Sequence, residues 1–265
     1  MHKFKFVNSK VNDFKNKENI IITEPFFICS IDNFLDEKLY KDLYDNFPPT
    51  DFFVSHNPDK GNKVALDVRS KLVTDYIENN AAWKSFTNSI NSQESSNFFK
   101  KVFESYIPLR KNFKDKPWVT DVDFYNKVQE RSLNNDVNHV RYSFEFGYMG
   151  NGSYIPPHTD SENKVISMIF YFADPDIDWS KYNCGTTFFK TDNIEHEYNS
   201  WESIHLEGNK LKEFYKSYKE LHYSEFKANK FLMFFKNDKS WHEVKKIKLP
   251  LQLKRKAFIV NVFHE

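Results

Sequence analysis

The sequence predicts a mainly β protein, a sandwich or barrel with a helical flank, and three observations carry that expectation. Apolar residues in the first half recur at helical spacing, whereas from about residue 137 they alternate with a period of two. Aromatic side chains, which favour strands and fill the space between sheets, are abundant, with 28 phenylalanines and 14 tyrosines. Glycine is scarce at six residues, yet Gly147, Gly150, Gly152 and Gly185 gather around one part of the second half, where the backbone needs conformations other residues avoid.

The elements follow from local pattern. "NIIITEPFFICSI" is an apolar, β-branched run interrupted by Pro25 and reads as a leading strand. In "DNFLDEKLYKDLYDNFPP", Leu35, Leu39, Leu43 and Phe47 share a helical face, Asp36 and Glu37 occupy the first turn, and Pro48 and Pro49 stop the helix. A second helix aligns Trp83, Phe86 and Ile90, and a third Phe99, Val102, Phe103 and Tyr106. In "NHVRYSFEFGYM" one strand face carries Val140, Tyr142, Phe144, Phe146 and Tyr148, the other Arg141, Ser143, Glu145 and Gly147. Further strands are expected at "KVISMIFYFA", "GTTFFK", "KFLMFFK", "SWHEVKKI" and "KAFIVNVF". One helix is expected across "NKLKEFYKSYKEL", with Leu211, Phe214, Tyr218 and Leu221 on a face. The chain thus divides into residues 1–136, a strand and scaffold helices, and residues 137–265, the β core, packed as one compact domain. Residues 191–229 exceed what a strand connection requires and read as an insertion, either a cover over the core or a peripheral addition.

Composition narrows the function. With 38 basic against 37 acidic residues, no overall field recruits nucleic acid or an anionic membrane. Cys29 and Cys184 are the only cysteines and lie far apart, which argues against a disulfide framework or a zinc knuckle. No run approaches a membrane span, so a soluble cytoplasmic protein is expected.

The chemistry concentrates in "GNGSYIPPHTDSENK". His158 and Asp160 are two apart, and on extended backbone such side chains point the same way, so both can grip one cation. The tripeptide alone is common by chance, and His205 with Glu207 forms a second such pair. A third ligand from a distant strand is needed, and His242 in "SWHEV" is the candidate. Two histidines and a carboxylate on one face of an ion form the facial triad of non-haem Fe(II) oxygenases. Arg255 shares a strand face with Ala257 and Ile259; alone it reads as a surface charge at a strand edge, but an arginine on an apolar face is costly unless it meets an anion, and its planar fork suits a bidentate carboxylate.

With these residues in place the chain resembles the Fe(II)- and 2-oxoglutarate-dependent dioxygenases, in particular the prolyl-4-hydroxylase-like branch. "YMGNGSYIPPHTD", "KVISMIFYFA", "CGTTFF", "ANKFLMFF", "SWHEV" and "RKAF" occur in the family's order, and "FFICSIDNFLDEKLYKDLYDNFP" is similar to its leading strand and helix. The resemblance implies a double-stranded β-helix core of the jelly-roll, cupin-like kind with an N-terminal helical scaffold. It implies Fe(II) held by His158, Asp160 and His242, with 2-oxoglutarate and O2 as co-substrates. Arg255 matches the residue that pairs with the distal carboxylate, Tyr171 a tyrosine that assists it, and Tyr148 a tyrosine lining the pocket. Lys164 stands where the family often has arginine and, with Trp179, Tyr198 and Trp201, is a candidate for substrate contact. Cys184-Gly185 stands where two glycines are frequent. The implied activity is hydroxylation of a small molecule or of a prolyl or other side chain, releasing succinate and CO2. A zinc-dependent hydrolase and a non-catalytic metal-binding β-helix module are the competing readings of the same ligands.

Overall fold

A computed structural model of the chain describes residues 19–55, 63–103, 118–120, 138–161, 163–191, 206 and 208–264. The first half supplies strands β1 (Ile20–Ile22), β2 (Ile28–Ile31), β3 (Val54–Ser55), β4 (Lys63–Asp67) and β5 (Trp118–Thr120), with helices α1 (Glu37–Asp45), α2 (Lys71–Asn79), α3 (Ala81–Ile90) and α4 (Gln93–Phe103). The second half supplies β6 (Asn138–Met149), β7 (Ile155–His158), β8 (Lys164–Tyr171), β9 (Thr186–Thr191), helix α5 (Gly208–Ser217), β10 (Tyr218–Ser224), β11 (Lys230–Phe235), β12 (His242–Val244) and β13 (Arg255–His264).

Two sheets form. The larger has the order β1-β2-β11-β8-β13-β6-β4-β3 with β5 beside β6, and the smaller the order β10-β9-β12-β7. From β6 onward the chain crosses between them, β7 in the small sheet, β8 in the large, β9 and β10 in the small, then β11, β12 and β13 in alternation. That winding is the expected double-stranded β-helix. Its inner layer contains Met149, Ile169, Tyr171, Phe188, Leu232, Phe234, Val244 and Ala257.

The period-two pattern decides which face meets which layer. Val140, Tyr142, Phe144 and Phe146 of β6 turn outward, with Phe170 of β8 and Phe258 of β13, into a core shared with Leu43, Val73, Trp83, Phe86 and Ile90 of the helices. Trp83 is fully buried and centres this layer, with the rings of Phe47, Phe146, Phe172 and Phe258 around it. The helices are capped as their sequences suggest. Asp36 accepts from the backbone N–H groups of Lys38 and Leu39, and Asn80 from that of Trp83.

Three differences from the sequence expectation have physical causes. The leading apolar run is two strands, β1 and β2, paired antiparallel, with Pro25 between them. The first half also donates β3, β4 and β5 to the large sheet, short strands of which β4 and β5 pair with β6 of the second half while β3 pairs with β4. The helix expected through Leu221 stops at Ser217. Tyr218 opens β10 and pairs with Thr191, yet its ring still stacks on Phe214 at 4.2 Å between centroids, so the contact read as helical periodicity exists across a helix-to-strand junction. The latter half of the expected insertion is therefore core structure. Among the described residues no helix is long and apolar enough to cross a membrane.

Candidate active site

His158 ends β7, His242 begins β12, and the two are direct partners across the antiparallel pair, their rings 4.2 Å apart between centroids. Asp160 follows in the extended segment after β7. One nitrogen of each histidine and one oxygen of Asp160 all lie within 4.8 Å of one another. Sequence spacing brings His158 and Asp160 together, and strand pairing supplies His242.

The hydrogen bonds fix how each group presents itself. His158 Nδ1 lies 2.9 Å from the Pro156 carbonyl and His242 Nδ1 2.9 Å from the Ser240 carbonyl. A carbonyl only accepts, so each Nδ1 carries the proton and, in the neutral ring, each Nε2 presents a lone pair. Burial, reinforced by the neighbouring His242, lowers the His158 pKa to about 3, and burial lowers that of His242 as well, so both rings are neutral at physiological pH. For Asp160 burial alone acts upward, but Lys164, His242 and His158 outweigh it and hold the carboxyl well below its usual range. Lys164 Nζ donates to Asp160 Oδ1 at 2.7 Å and Ser167 Oγ to Oδ2 at 2.8 Å, which orients the carboxylate while leaving lone pairs on both oxygens. Two neutral imidazoles and an ionised carboxylate on one side are a donor set that fits a divalent first-row metal, with the far side open.

These three groups line a cavity of about 120 Å³ with Arg255, Thr186, Met149, Ser167, Ile169 and others. Arg255 opens β13 opposite Met149 and is 4% exposed. Its Nε donates to the Cys184 carbonyl at 2.7 Å, and among the described residues its terminal nitrogens reach only Thr186 Oγ1 at 3.5 Å and Met149 Sδ at 3.7 Å. The rings of Tyr171 and Phe226 face it at 5.1 and 5.7 Å. No carboxylate among the described residues pairs with it. A buried guanidinium held only by neutral groups is costly, and it faces a cavity in which an anion would compensate it.

No family model matches the chain, and no curated protein matches it. Several solved structures are similar to it at low identity. A prolyl hydroxylase from Trichoplax adhaerens, in complex with a hypoxia inducible factor oxygen degradation domain peptide fragment, is 10% identical, with 89% of this chain and 83% of that chain covered at a TM-score of 0.46. A prolyl-4-hydroxylase from Pseudomonas putida is 12% identical, covering 90% and 92% at a TM-score of 0.46. HygX from Streptomyces hygroscopicus, with nickel, 2-oxoglutarate and hygromycin B bound, is 6% identical, covering 89% and 82% at a TM-score of 0.45.

The other expected residues fall in several places. Tyr171 is buried behind the cavity rather than in its wall. Its hydroxyl meets Thr186 Oγ1 at 2.8 Å and its ring supports Arg255, so it touches the guanidinium and not the open space. Tyr148 does not line the pocket. It shares the outward parity of Tyr142, Phe144 and Phe146 and stacks on Phe53, while the inward neighbours Gly147 and Met149 line the cavity. Lys164 binds Asp160. Trp179 is remote from the triad, its Nε1 donating to the Asp174 carbonyl and its ring edge-on to Phe226, in the wall of a separate cleft of about 360 Å³. Tyr198, Trp201, His205 and Glu207 lie outside the described residues. Sequence reasoning missed Ser167, Thr186, Lys63 and Asn261 as wall residues. For Ser167 a signal existed, one hydroxyl inside the otherwise apolar run "KVISMIFYF".

Proposed function

We propose that this protein is an Fe(II)- and 2-oxoglutarate-dependent dioxygenase that hydroxylates a small molecule or an amino-acid side chain. The observation that carries the reading is the joint presence, in one small cavity, of a two-histidine, one-carboxylate donor set and a buried arginine without an acidic partner among the described residues. The resemblance of the sequence motifs points the same way. In balanced form, a C–H bond of the substrate, 2-oxoglutarate and O2 yield the alcohol, succinate and CO2.

When bound, Fe(II) would supply the O2 activation that no side chain performs. His158 and His242 would hold it through Nε2, each ring oriented by its Nδ1–H bond to a backbone carbonyl. Asp160, kept ionised chiefly by Lys164 and oriented by Ser167, adds the hard oxygen ligand. Arg255, supported by the Cys184 carbonyl and the Tyr171 ring, would take the far carboxylate of 2-oxoglutarate, fixing its orientation toward the metal. The apolar walls from Ile155, Ile169, Phe234, Val244 and Ile259 exclude water from the reacting end. In a zinc hydrolase the buried guanidinium would have no evident task.

Equilibrium dialysis of Fe(II) under argon, followed by calorimetric titration with 2-oxoglutarate, tests the reading. One metal per chain and 2-oxoglutarate binding that depends on it are expected. Retained metal stoichiometry in His242→Ala, or no 2-oxoglutarate affinity in the metal-loaded protein, would overturn it.

A further inference from the structure

The metal and co-substrate groups leave two charged features of the cavity without a task, Glu243, which accepts from the Tyr215 hydroxyl, and the pair formed by Glu145 and Lys63. Glu145 sits on the inward face of β6, opposite Asp67 of β4 and Ile259 of β13 in the strand register. At its level the wall is otherwise apolar, with Ile259, Ile169, Ile155 and Val244. Its one hydrogen-bonding partner among the described residues is Lys63 of β4, whose Nζ donates to Oε1, and both side chains are 18% exposed. Lys63 backbone pairs with Met149, so its stem runs along the sheet past Gly147, lying 3.6 Å from where a Cβ at that glycine would stand.

Both side chains are partly open to the cavity, so each keeps capacity for a ligand. An ammonium has three N–H donors and a carboxylate two oxygens, and one of each is used here. Among the described residues Glu145 Oε2 and the remaining Lys63 donors have no partner, and both side chains border the cavity. A molecule with an ammonium and a carboxylate on one carbon presents the complementary charges at matching spacing. It would close a ring of four alternating charges without breaking the pair, its ammonium on Glu145 and its carboxylate on Lys63. A neutral amide offers a donor and an acceptor too, but without the charge assistance that such bonds gain in a site largely shielded from water.

We propose that Lys63 and Glu145 form the substrate-recognition pair of this site, and that the substrate is a small zwitterion of the free amino-acid class. The proposal rests on the oxygenase reading of the triad and Arg255.

The test uses the Fe(II)-loaded full chain with 2-oxoglutarate and O2. Free α-amino acids are compared with their N-acetyl and C-terminal amide derivatives for stimulated succinate release. At least one free amino acid is expected to stimulate, with both blocked forms weaker by roughly tenfold to a hundredfold in kcat/KM. Crossed selectivity then separates recognition from mere scaffolding. Glu145→Gln should lose discrimination against the N-acetyl form and keep it against the amide, and Lys63→Met the reverse, with the effect mainly in KM. An equal loss for all three forms, or preference of the unmodified protein for blocked forms or peptides, overturns the proposal. No response to any free amino acid overturns it as well. Such failures leave the oxygenase reading standing provided metal-dependent 2-oxoglutarate binding persists. Should either variant fail to fold, the panel with the unmodified protein still decides.

Discussion

Arg255→Met removes the guanidinium while keeping much of the volume. The far carboxylate of 2-oxoglutarate then meets no cation, and its affinity should fall by roughly 2–5 kcal/mol, read by calorimetry on metal-loaded protein. Unchanged 2-oxoglutarate affinity would show that the arginine serves only Cys184 and Thr186. At this scale the sequence was informative where chemistry depends on spacing and strand parity. His158 and Asp160 follow from a two-residue step, and Arg255 from a charge on an apolar face. Parity likewise placed Tyr148 with Tyr142 and Phe144, on the helix side, and the family resemblance pointed it wrongly into the pocket. The Lys164 contact to Asp160 had no local signature, because it depends on how the segment between β7 and β8 turns.

Among the elements, β9 and β12 hold the site with little slack. Gly185 precedes β9, and a Cβ there would lie 2.2 Å from the Ser224 carbonyl oxygen and 2.7 Å from the Tyr223 ring, a backbone collision no rotamer relieves. Gly185→Ala should therefore force the start of β9 away from β10, costing about 1–3 kcal/mol or more. Because Cys184 and Thr186 flank it and both contact Arg255, 2-oxoglutarate affinity should fall too. A stable Gly185→Ala protein with full co-substrate affinity would contradict that close approach. The three-residue β12 presents His242 inward, while the preceding Trp241 is buried among Phe189, Phe214 and Tyr218. Trp241→Ala is expected to cost about 3–5 kcal/mol and to weaken metal binding, measured by denaturation and by dialysis. The role of α5 and β10 was hidden because a strand that pairs with β9 through a bulge shows no clean alternation, and the Phe214–Tyr218 spacing mimics continued helix.

For the whole molecule, the order helices then strands was legible because periodicity is local, whereas the sheet order was not, because it depends on pairings such as β4 with β6 and β2 with β11 between distant segments. Both cysteines are fully buried, and burial pushes the thiols up to about 12 for Cys29 and about 11 for Cys184. Thiolate is the reactive form, so native protein should not react with a thiol reagent at pH 8, and both thiols should react after unfolding. Fast reaction of either in the native state would mean that the layer holding it is open. The account as a whole is tested most directly by O2-dependent formation of succinate from 2-oxoglutarate by the purified protein with Fe(II). It predicts succinate and CO2 in equal amounts, abolished by omitting Fe(II) and by Asp160→Ala. A protein that binds the metal yet forms no succinate with any substrate offered, or an Asp160→Ala variant that forms it at the original rate, would contradict it.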